Sequence, residues 1–302
     1  MGYNVVRLVL AALAVLVVQR KLGAQGRRRD KRITRDHERV LILGASSGVG
    51  RAVAKRYAAR GALVCVVARR ADEIANLAKE CGEKCIWHVA DFSKVDDLVG
   101  LRSRLDEEWQ GLDTLHICAG VSALQPVMAL TGIKSANEDA DAAGIQRAVD
   151  IAGRAVAGNF NGPLTSALTF VKTASHPHVD EDVQITIDPA RFLGGSGHPG
   201  AHQSPALAIE HPKIAFTHVL PATIEGNFRA SAVDSGPVRE DDPNKHGLKV
   251  GYVAERCISS VDGGVTGNVL LPKFPYAVAQ YLYLLWPSFI EGRARKKYNF
   301  EA

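Results

Sequence analysis

The chain has 302 residues, 46% hydrophobic and 23% charged, with 28 glycines and 13 prolines. That balance excludes collagen-like, disordered and multi-span membrane classes, and the length allows one large α/β domain or two small ones. The formal net charge of +5 is local: residues 20–39 hold nine Lys/Arg against Asp30, Asp36 and Glu38, Arg7 adds one, and residues 40–302 carry −2. A domain so charged has no basic face for tracking nucleic acid, and no nucleic-acid partner is expected.

Residues 8–18 are uninterrupted apolar, and Val5 and Val6 extend the run across Arg7. This falls short of the ~20 residues of an untilted membrane span, although Arg7 can snorkel. A secretory signal fits less well, because the positive cluster follows the apolar run instead of preceding it. Residues 1–19 are therefore expected to be a membrane anchor and 20–39 a basic linker kept on the cytosolic side. A buried or interfacial helix is the other option at this end. Gly2 has no Ser or Thr at position 6 behind it, which argues against myristoylation.

Val40-Leu41-Ile42-Leu43 is a β-branched and leucine run ending at Gly44. Ala45-Ser46-Ser47-Gly48-Val49-Gly50 follows, and then Ala, Val and Tyr57 recur at helical spacing. A strand, a glycine turn and a helix in that order form a phosphate-binding βα unit. Glycines let the backbone turn tightly against a pyrophosphate, whose charge meets the helix N–H groups. Ser46 and Ser47 can add hydroxyl donors there.

A second strand, Leu63–Val67, ends at Ala68-Arg69-Arg70. An NAD site would place an acid here for the ribose hydroxyls. Two arginines instead suit a 2′-phosphate, so the expected cofactor is NADP(H). A third strand, Cys85–Val89, leads to Asp91, and a fourth, Leu115–Cys118, leads to Ala119-Gly120. Helix-length polar segments at 71–83 and 93–110 separate them, which predicts right-handed βαβ crossovers and a parallel sheet.

Of the five cysteines, Cys65 and Cys118 lie in apolar strand-like runs and are expected to be buried thiols. Cys81 and Cys85 have no second pair to complete a zinc site, and a reduced, cytosol-facing domain is expected.

Together these residues resemble the short-chain dehydrogenase/reductases. Gly44, Gly48 and Gly50 match the family's glycine signature, and Asp91 its adenine-contacting acid. Ile117-Cys118-Ala119-Gly120 matches its Asn-Asn-Ala-Gly turn with both asparagines replaced. Asn159 matches its catalytic asparagine, while Pro221 and Thr223 fall on its nicotinamide-side loop. The resemblance spans about 40–270. It implies an α/β fold, a doubly wound parallel sheet (Rossmann fold) in a single main domain. Cofactor contacts are implied at Gly44, Ser46, Ser47, Gly48, Val49, Gly50, Arg69, Arg70, Asp91, Ala119, Gly120, Pro221 and Thr223. The implied reaction is hydride transfer between an alcohol and a ketone.

The family's acid is a tyrosine, with a lysine four residues on that lowers its pKa and a serine that polarises the carbonyl. A phenol of unperturbed pKa near ~10 needs such a cation beside it. No Tyr occurs between Tyr57 and Tyr252, and no Lys between Lys172 and Lys213. Spacing back from Leu207 puts the two positions near Phe192 or Leu193 and near Ser196 or Gly197. Residues 188–200, rich in Gly and Pro, cannot hold the helix expected there. Two explanations stand: the catalytic step has been lost while the cofactor site persists, or the 179–205 window is a mistranslated or mis-spliced stretch of an active enzyme. His176, His178, His198 and His202 lack the partners of a zinc set, and no metal is expected.

Residues 274–300 hold eight aromatics, with Arg293, Arg295, Lys296 and Lys297 near the end. A short apolar helix over Ala277–Leu285 is predicted, stopped by Pro287. Such a 271–302 extension suits either a membrane–water interface or a lid and dimer contact. A small lipophilic substrate, membrane association with a cytosol-facing domain (at the endoplasmic reticulum, for instance) or a cytoplasmic location, and a homo-oligomer are the corresponding expectations.

Overall fold

The computed structural model describes residues 33–123, 125, 127–133, 138–171, 183–187, 214–226, 228, 232–234 and 247–297. Seven strands form one sheet: β1 (Arg39–Leu43), β2 (Leu63–Ala68), β3 (Cys85–Val89), β4 (Thr114–Ile117), β5 (Val183–Ile187), β6 (Ile214–Pro221) and β7 (Gly267–Leu271). Their order is β3-β2-β1-β4-β5-β6-β7, and all six pairings are parallel. Between them run α1 (Gly48–Ala59), α2 (Ala71–Cys81), α3 (Val95–Trp109), α4 (Val127–Leu130), α5 (Ala142–Val156), a π-helical turn (Ala157–Asn161), α6 (Gly162–Phe170) and α7 (Val250–Asp262). Two more helices, α8 (Lys273–Leu285) and α9 (Pro287–Lys297), follow β7.

Parallel strands covered on both faces read as continuous apolar runs, because successive side chains enter opposite cores. Leu41 and Leu43 of β1 pack with Leu98, Leu101 and Leu105 of α3 and with Ala167 and Phe170 of α6. Val40 and Ile42, one residue out of phase, pack with Val53 and Tyr57 of α1, Ile74 and Leu77 of α2, and Val253 and Cys257 of α7. Each such buried side chain contributes about 1.5–3 kcal/mol. This is the doubly wound α/β sheet that the strand–helix alternation predicts.

The bottom of the sheet is pinned by polar groups. Arg39 donates Nε and Nη2 to the two carboxylate oxygens of Asp113 at 2.9 and 2.8 Å, and its backbone N–H adds a third bond. Asp113 raises the Arg39 pKa against the cost of burial. Breaking a buried pair of this kind costs about 3–5 kcal/mol. Beside it Thr114 donates to the buried Glu38 carboxylate at 2.6 Å. These bonds fix β1 against β4, and so fix the strand ends that carry the site.

Some boundaries differ from those expected. The fourth strand ends at Ile117, so Cys118 lies beyond the ladder and is half-buried, unlike the fully buried Cys65. Asn159 sits in the π-helical turn between α5 and α6 instead of mid-way along an α-helix. The C-terminal helix begins at Lys273, and Pro287 opens α9. Residues 1–32, 172–182 and 188–213 lie outside the described residues, and with them the anchor, Phe192, Leu193, Ser196, Gly197 and the four loop histidines.

Candidate functional site

The strand order reverses between β1 and β4, and crevices at such switch points receive ligands at the carboxyl ends of the strands. Here the chain leaves β1 through Gly44–Ser47. The Gly44 and Ala45 N–H groups donate to the Val67 carbonyl at 2.8 and 3.1 Å, and the Cys118 N–H donates to Leu43. The turn is thereby tied to the ends of β2 and β4.

Two of its glycines are required by packing. A Cβ on Gly44, at φ +86°, would lie 2.6 Å from the Ala119 nitrogen; one on Gly50 would lie 2.4 Å from the Gly44 carbonyl oxygen. The third is required by conformation alone. Gly48 has φ +55° with nothing within 4 Å of a Cβ position, so its outer side is open. Ser47 caps α1 without any side-chain bond to it, and no acid stands in the first turn. The positive end of the helix therefore faces outward over the open glycine.

Arg70 closes the outer wall. Its Nη2 donates to the hydroxyl oxygens of Ser46 at 2.9 Å and Ser47 at 3.2 Å, so a guanidinium lies across the glycine turn. Arg69 is exposed on the same segment, and its charge acts on Asp91. Burial works to raise the Asp91 pKa, but hydrogen bonds from the Ser93 hydroxyl and N–H, with help from Arg69, hold it below the usual carboxylate value. Its Oδ1 is thus already engaged in shaping the turn ahead of α3.

The floor is Ala119-Gly120-Val121, beyond β4. Asn159 holds it with a pair of bonds: its Oδ1 accepts from the Val121 N–H at 2.9 Å, and its Nδ2 donates to the Val121 carbonyl at 3.0 Å. The sequence pointed to Asn159 but not to this partner. Gly158 lets the π-helical turn come close, since a Cβ there would lie 2.9 Å from a Val121 methyl. A glycine beside a mid-segment asparagine was the available signal. Val49 is buried behind the glycine turn.

Pro221 ends β6, and the Thr223 carbonyl accepts from the Leu248 N–H at 2.8 Å. Both lie at the carboxyl edge of the sheet, with β5 standing between β6 and β4. Tyr57 is fully buried, 3.2 Å from His116 Nε2, and is not placed to serve the crevice. Among the described residues no cluster has the make-up of a metal site, and no helix is long and apolar enough to cross a membrane.

A family model for the short chain dehydrogenases matches residues 38–157. A probable NADP-dependent dehydrogenase of Dichelobacter nodosus is 39% identical over 83 residues, which cover 28% of this chain and 78% of that one. The chain belongs to the short-chain dehydrogenases. A cis-4-hydroxycyclohexanecarboxylate dehydrogenase of Sinomonas cyclohexanicum is 36% identical over 88 residues, 28% of this chain. The match spans 35% of that relative's length and as little as 18% of others. An alcohol dehydrogenase from the archaeon Thermococcus sibiricus, solved with 5-hydroxy-NADP, superposes with a TM-score of 0.58 at 18% identity, over 78% of this chain and 95% of that one. At that identity the likeness concerns the fold.

Short-chain dehydrogenases bind a nicotinamide cofactor, and the residues of this member fit one. The tightly packed Gly44 and Gly50, the open Gly48 and the uncapped start of α1 make a cradle that side chains would fill. Gly44, Ser46, Ser47, Gly48 and Gly50 would meet the pyrophosphate, and Ala119 lies beside that turn.

Proposed function

We propose that this short-chain dehydrogenase is an NADP(H)-dependent oxidoreductase that interconverts a lipophilic alcohol and ketone. The observation carrying the cofactor choice is Arg70, whose guanidinium reaches the Ser46 and Ser47 hydroxyls where an NAD site would hold an acid. A guanidinium offers a 2′-phosphate paired, charge-assisted bonds, and repels nothing there. The name of the Dichelobacter relative, an NADP-dependent dehydrogenase, supports the same choice.

When bound, the cofactor supplies or accepts a hydride. The chain's own residues hold its phosphates at the glycine turn, set the floor through Asn159 and Val121, and keep Arg69 and Arg70 at the outer wall. Residues 40–270 form the dinucleotide-binding domain in this proposal, and 271–302 an extension beside the substrate. Exposed Phe274 and Leu285 of α8, Trp286 at the junction with α9, and Phe289 of α9, which lies near Arg293, support an apolar substrate and contact with a membrane surface. Exposed Ile145 and Val149 on α5 support a homo-oligomer.

A second reading is cofactor binding without turnover, favoured by the lack of any Tyr between Tyr57 and Tyr252 and of any Lys between Lys172 and Lys213. NADPH fluorescence titration, run beside carbonyl reduction on apolar ketones, separates the two. Binding with turnover supports the oxidoreductase; binding without turnover supports the second reading. Absence of NADPH binding overturns both.

A further inference from the structure

A pair of thiols lies away from the cofactor cradle, on the face of the sheet covered by α1 and α2. Cys81 is the last residue of α2 and is half-buried; Cys85 is the first residue of β3 and is buried. The three residues between them form a tight turn. Gly82, at φ +93°, donates to the Ala78 carbonyl, and the Cys85 N–H returns to the Gly82 carbonyl at 3.0 Å. This turn brings the two thiols together at one end of the same apolar core, close enough to interact.

The surroundings make the pair asymmetric. Lys55 and Arg51 of α1 reach Glu80, the neighbour of Cys81, each at 2.6 Å. Contact with Cys85 draws the Cys81 pKa below the ordinary thiol value against the cost of burial, and Lys55 assists. Contact with Cys81, then burial, pushes Cys85 in the opposite direction. Low-pKa, part-exposed thiols attack disulfides, and a protonated neighbour serves as the resolving group. By contrast Cys65 is buried in the other core with its pKa pushed up to about 12.

We propose that Cys81 and Cys85 are a reversible thiol–disulfide site, oxidised by small-molecule disulfides such as oxidised glutathione. The Cys81 thiolate attacks one glutathione sulfur, a mixed disulfide forms, and one glutathione thiolate leaves. Cys85 then gives up its proton to the released glutathione thiolate, attacks the Cys81 sulfur and expels the second glutathione as a thiolate, which takes up the proton that Cys81 had lost to solvent. Two protein thiols become one disulfide, and one oxidised glutathione becomes two reduced ones. The product staples the end of α2 to the start of β3.

Peptide mapping tests this directly, because Lys84 stands between the two cysteines. The reduced full chain is treated with oxidised glutathione, capped with an alkylating agent and cut with trypsin. The expected product is peptide 80–84 joined to peptide 85–94, lighter by two hydrogens than the sum of its parts and separated by a reductant. In Cys85→Ser, or Cys85→Ala if the first variant does not fold, glutathione stays on Cys81. In Cys81→Ser both the adduct and the joined peptide are lost. A wild-type chain that keeps glutathione on Cys81 without forming the joined peptide overturns the proposal. So does one that is modified only at Cys118, or whose Cys81 is not modified at all.

Discussion

Arg70 Nη2 lies 2.9 Å from Ser46 Oγ, although 24 residues separate them in the chain. The contact sets a fixed positive charge over a glycine turn whose other donors are backbone and hydroxyl groups. Bonds to a charged group contribute about 1.5–3 kcal/mol each. Arg70 is exposed, which places the effect at the lower end. Arg70→Ala is therefore expected to weaken NADPH binding about tenfold while leaving NADH binding within a factor of about two. Titration of both cofactors checks this; an equal loss for the two would remove Arg70 from 2′-phosphate recognition.

The three glycines separate into two kinds. Gly44→Ala sets a methyl against the Ala119 backbone at a positive φ, and about 3 kcal/mol or more of stability is expected to be lost. Gly48→Ala meets nothing within 4 Å and carries only the left-handed strain of about 1–2 kcal/mol. Its methyl instead occupies the space over the helix start, so its main effect is expected on cofactor affinity. Urea denaturation and fluorescence titration on both variants would expose a reversed order.

Asn159 is 8% exposed, and both ends of its amide are spent on Val121. Asn159→Ala strands a partly buried N–H and carbonyl, at a cost of about 2–3 kcal/mol. Asn159→Asp keeps the acceptor but opposes a carboxylate to the Val121 carbonyl, so it should not rescue the fold. Chemical denaturation measures both. Unchanged stability, with a loss confined to turnover, would make Asn159 a catalytic group and not an anchor.

How much of this was legible beforehand follows from the range of the interactions. The β1–glycine turn–α1 unit and the alternation of strands and helices rest on neighbours in sequence, so their pattern survives in one dimension. The replacement of an acid by Arg69 and Arg70 was legible for the same reason. Other features were not. The Arg39–Asp113 pair and the grip of Asn159 on Val121 join residues 74 and 38 positions apart, and nothing in the local sequence names the partner. Cys118 was expected inside a strand because its run is apolar, yet the β4 ladder stops one residue earlier. The contact of Cys81 with Cys85 depends on the turn at Gly82, whose positive φ a spacing of four residues does not reveal.

The ends of the chain offer a separate test. Trp286, at the junction of α8 and α9, and Phe289 of α9 stand exposed, and the Arg293 guanidinium lies 6.0 Å from the Phe289 ring. A joint Trp286→Ala and Phe289→Ala variant is expected to bind phosphatidylserine vesicles about tenfold more weakly than the parent chain. Sedimentation with the vesicles measures it. Equal binding would assign any membrane contact to residues 1–39.

The central claim is that the β1–α1 turn and Arg70 form a site selective for NADP(H). Its most direct test is the ratio of dissociation constants for NADH and NADPH in the unmodified full chain, by fluorescence titration at fixed ionic strength. A ratio of about ten or more in favour of NADPH is predicted. A ratio near one, or a preference for NADH, would contradict the account.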